Sequence, residues 1–541
     1  MTAINALSRS VTLASAEIAS RAASASAADA PPVATGPSAS TWVTLTTAPP
    51  LANWPTYTQP VANGATLYWQ TPPSDPLSLL MSGNASTHAL GNRLDSLGRK
   101  LLDVIAGGAT AYSQSVLRSS TVVAPSADAL AVQRTQLQTD ADNRFALTIK
   151  TASGAQVSVR LGSSDDGLSA EVAVTKGTLT DAERDQLGKL ADAFQRAVDG
   201  LGKQPPVVDF GALTGFDTAL LSSVDLSATL GANGTSAQTI AFHADATQRN
   251  VHVDGASGRF EVNVDLQSMQ AVGSPKAQAA ALDAWLARFD IARTRGNGDA
   301  SLMQMFKGAF TGLNGHYPPA PALPRIALSS ADKSVLSGLA DFSASISQTT
   351  SASNPLRPSE VDGFDYRISQ HTDIGGKDTL NRTVAQQAEA TLTASYHRSL
   401  WAGVPLNLTT DPKSQNYEYV KVHDSANTDI QVGYRDGLPV RAAVHRSADQ
   451  STQVQRFEMA RLVSDVITPQ AMSQRSDLTT LLASVLRSDV ARPAPPAGSD
   501  GAEVDDAARA EIRRRTALEI DPARLRVVVR GDPRRALAVA E

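Results

Sequence analysis

A multidomain α+β fold, mainly antiparallel β-meanders each covered by amphipathic helices, is predicted by three features of the sequence. Short runs of alternating apolar residues recur at hairpin spacing. Each group of runs is followed by an amphipathic stripe with a helix-start signal. This strands-then-helix order occurs twice over residues 141–315, which suggests a duplication.

In the first group Phe145, Leu147 and Ile149, then Val157, Val159 and Leu161, then Leu168, Ala170, Val172 and Val174 alternate with polar residues. A period of two gives one buried and one wet face. Residues 152–155 and 163–167 supply the Gly, Ser and Asp that hairpin loops use. Thr180-Asp181-Ala182-Glu183 then has the spacing of a capping box, in which Thr and Glu satisfy orphan N–H groups at a helix start. Leu187, Leu190, Phe194, Val198 and Leu201 continue at helical spacing, and Gly202 marks the stop.

The second group predicts strands at 224–230, 240–242, 251–253 and 260–266. Ser274 and Pro275 suit the N-cap and first position of a helix whose stripe is Leu282, Trp285, Leu286 and Phe289. A further helix is expected over 302–313.

On the N-terminal side, residues 1–40 are rich in Ala, Ser and Thr and are expected to form a disordered or partly helical tail, with an uncleaved export signal as the alternative. Residues 41–140 comprise a Trp/Pro-rich segment and a helical region. Trp42, Trp54 and Trp69 lie among prolines that resist regular elements, and Leu90, Leu94, Leu97, Leu101, Leu102 and Ile105 predict one helix.

Toward the C-terminus, Pro318, Pro319, Pro321 and Pro324 predict a linker and connecting segment over 316–360. Residues 361–490 read as a second antiparallel domain, with strands at 364–368, 392–396, 430–434 and 440–444 and a closing helix at 477–487. A Pro-rich linker and charged tail follow over 491–541. Its Arg-flanked run at 525–529 reads as a short strand in a tail that is either mobile or able to add to another sheet edge.

Bulk properties narrow the function classes. A chain of 541 residues exceeds one core, and a net charge of -5 without a basic stripe argues against nucleic acid. The absence of cysteine excludes disulfides, thiolate nucleophiles and cysteine-ligated metals. No apolar run reaches the ~18 residues of a spanning helix. No cleavable signal peptide is seen either, so the expectation is a cytoplasmic protein or one exported without cleavage. Arg far outnumbers Lys and Ala is abundant, which fits coding in a GC-rich bacterium.

Motifs of catalysis and phosphate binding are missing. Gly375-Gly376-Lys377 and Gly296-Asn297-Gly298 are incomplete and read as loops. The best constellation is His243, Asp245, His252 and Asp254. A two-residue loop at Thr247 and Gln248 would place the two imidazoles directly opposite each other, with carboxylates nearby, as a zinc site requires. The alternative is the polar face of an amphipathic sheet. His371, His397, His423 and His445 lie in or beside late strands, where a hydrolase site can assemble.

Residues 145–201, with Leu179-Thr180-Asp181-Ala182-Glu183-Arg184 opening the helix, resemble segments of an uncharacterised proteobacterial β-meander/helix family. The likeness extends through Pro205-Pro206-Val207-Val208-Asp209-Phe210 toward Phe310. It implies no activity, cofactor or site residue. The expectation is therefore a non-enzymatic interaction or structural protein of a bacterium, exported or envelope-associated, with protein partners and no cofactor. A hydrolase in the late domain and a metal module at the His243/His252 pair are the alternatives.

Overall fold

Among the described residues fifteen strands join edge to edge into one antiparallel sheet, so the meanders expected in separate domains share a single ladder. The computed structural model describes residues 66–119, 125–232, 237–318, 326–490 and 507–530. All of them fall in one compact unit, Asn63–Glu541. The strands are β1 (Thr66–Trp69), β2 (Ala111–Ser119), β3 (Asn143–Thr151), β4 (Gln156–Ser164), β5 (Gly167–Lys176), β6 (Leu221–Leu230), β7 (Gln238–Asp245) and β8 (Gln248–Gly255). They continue with β9 (Gly258–Asp265), β10 (Asp341–Gln348), β11 (Gly363–Gly376), β12 (Arg382–Ser399), β13 (Tyr417–Arg435), β14 (Leu438–Glu458) and β15 (Arg461–Asp477). Their spatial order is β1-β2-β5-β4-β3-β6, and from β6 to β15 each strand pairs with the next in sequence.

Eleven helices accompany them among the described residues: α1 (Pro76–Asn84), α2 (Leu90–Arg93), α3 (Leu97–Ala106), α4 (Ala127–Thr139), α5 (Asp181–Leu201) and α6 (Pro275–Gly296), then α7 (Ala300–Leu313), α8 (Ser330–Val335), α9 (Thr479–Val490), α10 (Ala507–Thr516) and α11 (Pro522–Arg530). The capping box of α5 forms, with the Thr180 hydroxyl accepting from Glu183 N and the Glu183 carboxylate accepting from Thr180 N at 2.8 Å. Burial raises the Glu183 carboxyl, but the backbone bond from Thr180 and the hydroxyl bonds around it outweigh this and hold it at about 2.

Three expectations change. The helix expected across Leu90 to Ile105 is two, α2 and α3, because Ser96 takes a left-handed conformation between them. Residues 316–360 are more than a linker: α8 opens with a Ser329/Asp332 capping box, and the alternation of Phe342, Ala344 and Ile346 makes β10. Gly258, with φ of +139°, lets β9 start against β10, since a Cβ there would meet Ser347 O at 2.3 Å. Residues 525–529 belong to α11, which packs on β14 and β15 with Leu525 fully buried, so the expected tail strand is a helix. The tail at 1–40, Trp42, Trp54 and the linkers over 319–325 and 491–506 lie outside the described residues.

The helices lie mainly on one face. Val116 faces the main core while its neighbour Leu117 joins Leu137 and Ala141, so α4 covers the opposite face at the β2 end. Further along, that second face is polar: Asp225, His243, Asn250, Asn263, Ser343 and Ser369 stand opposite one another on successive strands. At the centre of the covered face, Phe289 of α6 meets Phe306 and Phe310 of α7 and Tyr366 of β11, at ring distances of 5.0, 5.1 and 6.2 Å. The incomplete glycine motif is packing: Asn297 ends α6 in a left-handed conformation, while Gly296 and Gly298 sit against the Phe364 ring.

Truncating a buried aromatic removes its transfer free energy and leaves a cavity. Phe289→Ala is therefore expected to destabilise the protein by about 3–5 kcal/mol, read as a lower denaturation midpoint in a urea titration.

Candidate functional site

Asp245 decides the fate of the proposed metal pair. Its Oδ1 accepts from Thr247 N at 2.6 Å and from Gln248 N at 2.8 Å, closing an Asx turn at the β7–β8 hairpin. The turn residues become Ala246 and Thr247, and the register moves by two positions from the expected one. His243 then faces Asn250, and His252 faces Ala241 and Glu261. The imidazoles are not opposite each other. Asp254 stands across from Thr239 and Arg259, away from His243.

His243 has other partners. Its Nδ1 is 2.6 Å from Asp225 Oδ1 and its Nε2 is 3.1 Å from Asp245 Oδ2. Burial lowers the imidazole, but the two carboxylates outweigh that and leave it above its ordinary value. Asp225, 18 residues away on the preceding strand, becomes its partner through the β6–β7 register, which no residue beside His243 signals. Among the described residues no group of three or more His, Asp or Glu is arranged to hold a metal ion.

The late histidines are spread over the sheet. His371 is exposed and 3.5 Å from Asp341, His423 is 3.3 Å from the Thr393 hydroxyl, and His445 is 3.0 Å from the Ser473 hydroxyl. His397 alone is buried in a charged cluster, with a side chain 2% exposed. Its Nδ1 lies 2.7 Å from Asp362 and its Nε2 3.1 Å from Glu360. Tyr417 donates to the same Glu360 oxygen at 2.6 Å, and Asn354 bridges Tyr417 and Gln415 at 2.9 Å each. Ser353 donates to Asp362, on the far side of the carboxylate from the imidazole. A nucleophile needs its hydroxyl on the histidine, so this cluster has the wrong order for one. What it does is strap residues 351–362 across β12 and β13.

Burial lowers the His397 imidazole, but Asp362 and then Glu360 outweigh it and leave the group raised. Burial likewise raises Asp362, and bonds from His397 and Ser353 bring it below its ordinary value.

A different kind of feature lies at the end of the meander. β15 is 17 residues long, is paired only to β14 among the described residues, and is exposed along almost all its length. Leu462, Val463, Val466 and Ile467 are 51, 51, 54 and 60% exposed. A register shift beside Val463 and the proline at 469 bound a short open stretch of the edge, residues 464–468. Bulges and prolines are the means by which edges avoid indiscriminate pairing. No helix among the described residues is long and apolar enough to cross a membrane.

No family model matches the sequence, and no curated protein or solved structure is similar to it.

The raised His397 contributes stability that is fully present below its ordinary value of 6.5 and is lost as pH rises through its folded pKa. Depressed Asp362 adds stability that is lost as pH falls through its own folded value. Amide exchange over 351–362 is therefore expected to be slowest between these limits and to speed up toward alkaline pH, after correction for intrinsic exchange. In His397→Gln the alkaline branch of the profile should flatten; an unaltered profile would contradict the assignment.

Proposed function

We propose that the chain is a non-enzymatic interaction protein that self-associates through the free edge of its sheet. The observation that carries this reading is the exposed apolar run Leu462, Val463, Val466 and Ile467 on β15. An edge strand offers unpaired N–H and C=O groups, and apolar side chains beside them add burial to the ladder bonds.

A second copy of the chain is the occupant that fits. The open stretch between the register shift and Pro469 is centred on Val466. An antiparallel two-fold about that residue sets Val466 against Val466, Ile467 against Asp465 of the other copy and Ser464 against Thr468. A closed, isologous contact of this sort uses the same patch twice. The bulge and the proline keep the pairing short, which favours a reversible association over a permanent one.

Light scattering coupled to size exclusion reads the outcome. A concentration-dependent monomer–dimer equilibrium is expected for the full chain. Val466→Lys, which places two like charges at the two-fold, should return it to a monomer with an unchanged far-UV spectrum. A monomer at all concentrations, or a dimer indifferent to this substitution, would overturn the reading.

A further inference from the structure

The strongest unassigned feature is the end of the sheet where β12 leaves for β13 and β14 turns into β15. The β14–β15 turn has two central residues, Met459 and Ala460, both left-handed with φ of +47° and +65°. Such a turn is ordinarily built from Asn-Gly or Asp-Gly, because a Cβ crowds the following carbonyl in that conformation. Here the sequence keeps a methionine at a strained position and leaves it 51% exposed. The strain therefore secures little packing for it.

Other apolar residues stand beside the turn. Arg357 donates to Ala460 O at 2.9 Å, which brings Leu356 of the strap to it. Met459 N donates to Asn416 Oδ1 at 3.0 Å, one residue before β13, whose Tyr417 pairs with Ser399 at the end of β12. Two residues further on, Trp401 opens a turn that closes with Val404 N on Trp401 O and has Gly403 at φ of +77°. Leu356, Trp401 and Val404 are 40, 58 and 51% exposed. Close by, Tyr417, Tyr419 and Phe457 form a small core with Leu406 and Leu408, which gives the tip a firm base.

Charged groups surround these side chains. Arg398 pairs with Glu418, Arg456 with Glu458 and Arg357 with Glu360. Lys413 and Arg461 are exposed and have no carboxylate within ion-pair distance among the described residues. The Asp411 carboxylate accepts from Lys413 N at 2.9 Å.

We propose that this tip docks on a phospholipid bilayer surface, with Met459, Trp401, Leu356 and Val404 entering the acyl boundary and Lys413 and Arg461 reaching lipid phosphates. Aromatic and aliphatic side chains with cations beside them are the composition of an interfacial anchor. Apolar side chains on separate turns enter a fluid phase without a matched hollow for each, which a protein partner would have to supply. In the antiparallel dimer the two tips point to opposite ends of the sheet, so each docks alone, with or without that dimer.

The chain has no cysteine, which permits a single label. An environment-sensitive fluorophore on Met459→Cys is expected to shift to the blue on addition of phosphatidylcholine vesicles containing phosphatidylglycerol. The same fluorophore on Val132→Cys, exposed on α4, should not respond. Met459→Asn suits the left-handed turn better, so its melting temperature should equal or exceed that of the wild type. Its partition in sedimentation of the full chain with the same vesicles should nevertheless weaken about tenfold, the loss of one apolar side chain from the acyl boundary. Trp401→Ser should cause a loss of similar size. A wild-type chain that stays in the supernatant, a label at 459 that responds no more than the one at 132, or wild-type partition in Met459→Asn would overturn the proposal.

Discussion

Everything after residue 360 depends on β10, an eight-residue strand that bonds to β9 on one side and β11 on the other. Without it the sheet would end at β9 and the long late strands would need a core of their own. Three independent contacts hold it there. Asp341 accepts from Thr372 N and Oγ1 at 2.7 Å, and its own N–H is taken by the Ser268 hydroxyl. Phe342 presses edge-on against Trp285 and Phe310, at 5.2 and 5.1 Å, which ties the strand to α6 and α7. Burial raises the Asp341 carboxyl, and the two Thr372 bonds recover only part of that cost. A short strand is thus secured by a ladder on each edge, an aromatic contact on one face and a buried carboxylate at its start.

How much of this was legible follows from how local each signal is. The strands of β3 to β9 and helices α5 to α7 were readable because alternation, capping residues and glycine stops are written within a few positions. β10 carries the same alternation, with serines between Phe342, Ala344 and Ile346, but the Pro-rich stretch before it reads as a linker and hides the signal. β15 gave no alternation because an edge strand with one exposed side and little cover need not alternate. Leu525, Val527 and Val529 alternate as a strand would, yet burial of Leu525 against the sheet favours the helix of α11. The metal pair failed on a single hydrogen-bonding choice. Asp245 serves the turn, so the ladder slips by two residues, an even number that leaves His243 and His252 on one face but no longer opposite.

The titratable clusters show why residue types alone did not locate chemistry. His243 and His397 each have both ring nitrogens within hydrogen-bond reach of carboxylates. A base that must accept a substrate proton needs one nitrogen available, whereas an imidazole held by two acids is a crosslink. Their partners, Asp225, Glu360 and Asp362, come from other strands or from the strap. Arg382 follows the same logic, donating to buried Asp332 at 2.7 Å while lying 3.7 Å over the Tyr434 ring. Such groups fix geometry because leaving either partner alone would bury an uncompensated charge.

The cavity beside α6 and the open edge of β15 arise where that economy of contacts stops. Through most of the covered face large side chains from helix and sheet meet, as Phe289 and Tyr366 do. Along the first half of α6 the sequence places alanine after alanine over Gln370, Ala388 and Thr428. Small residues on both layers cannot close a helix–sheet gap of about 10 Å, the spacing set by bulkier neighbours. Arg295 of α6 bonds Asp424 at 2.8 Å and Arg288 holds Leu518, so the helix is pinned at its C-terminal half and cannot tilt down to fill the space. The cavity is therefore a consequence of an under-filled layer beside rigid anchors. At the end of the same sheet β15 is braced by α11 on one part of its length, and among the described residues its outer edge leaves backbone pairing capacity that the fold does not use.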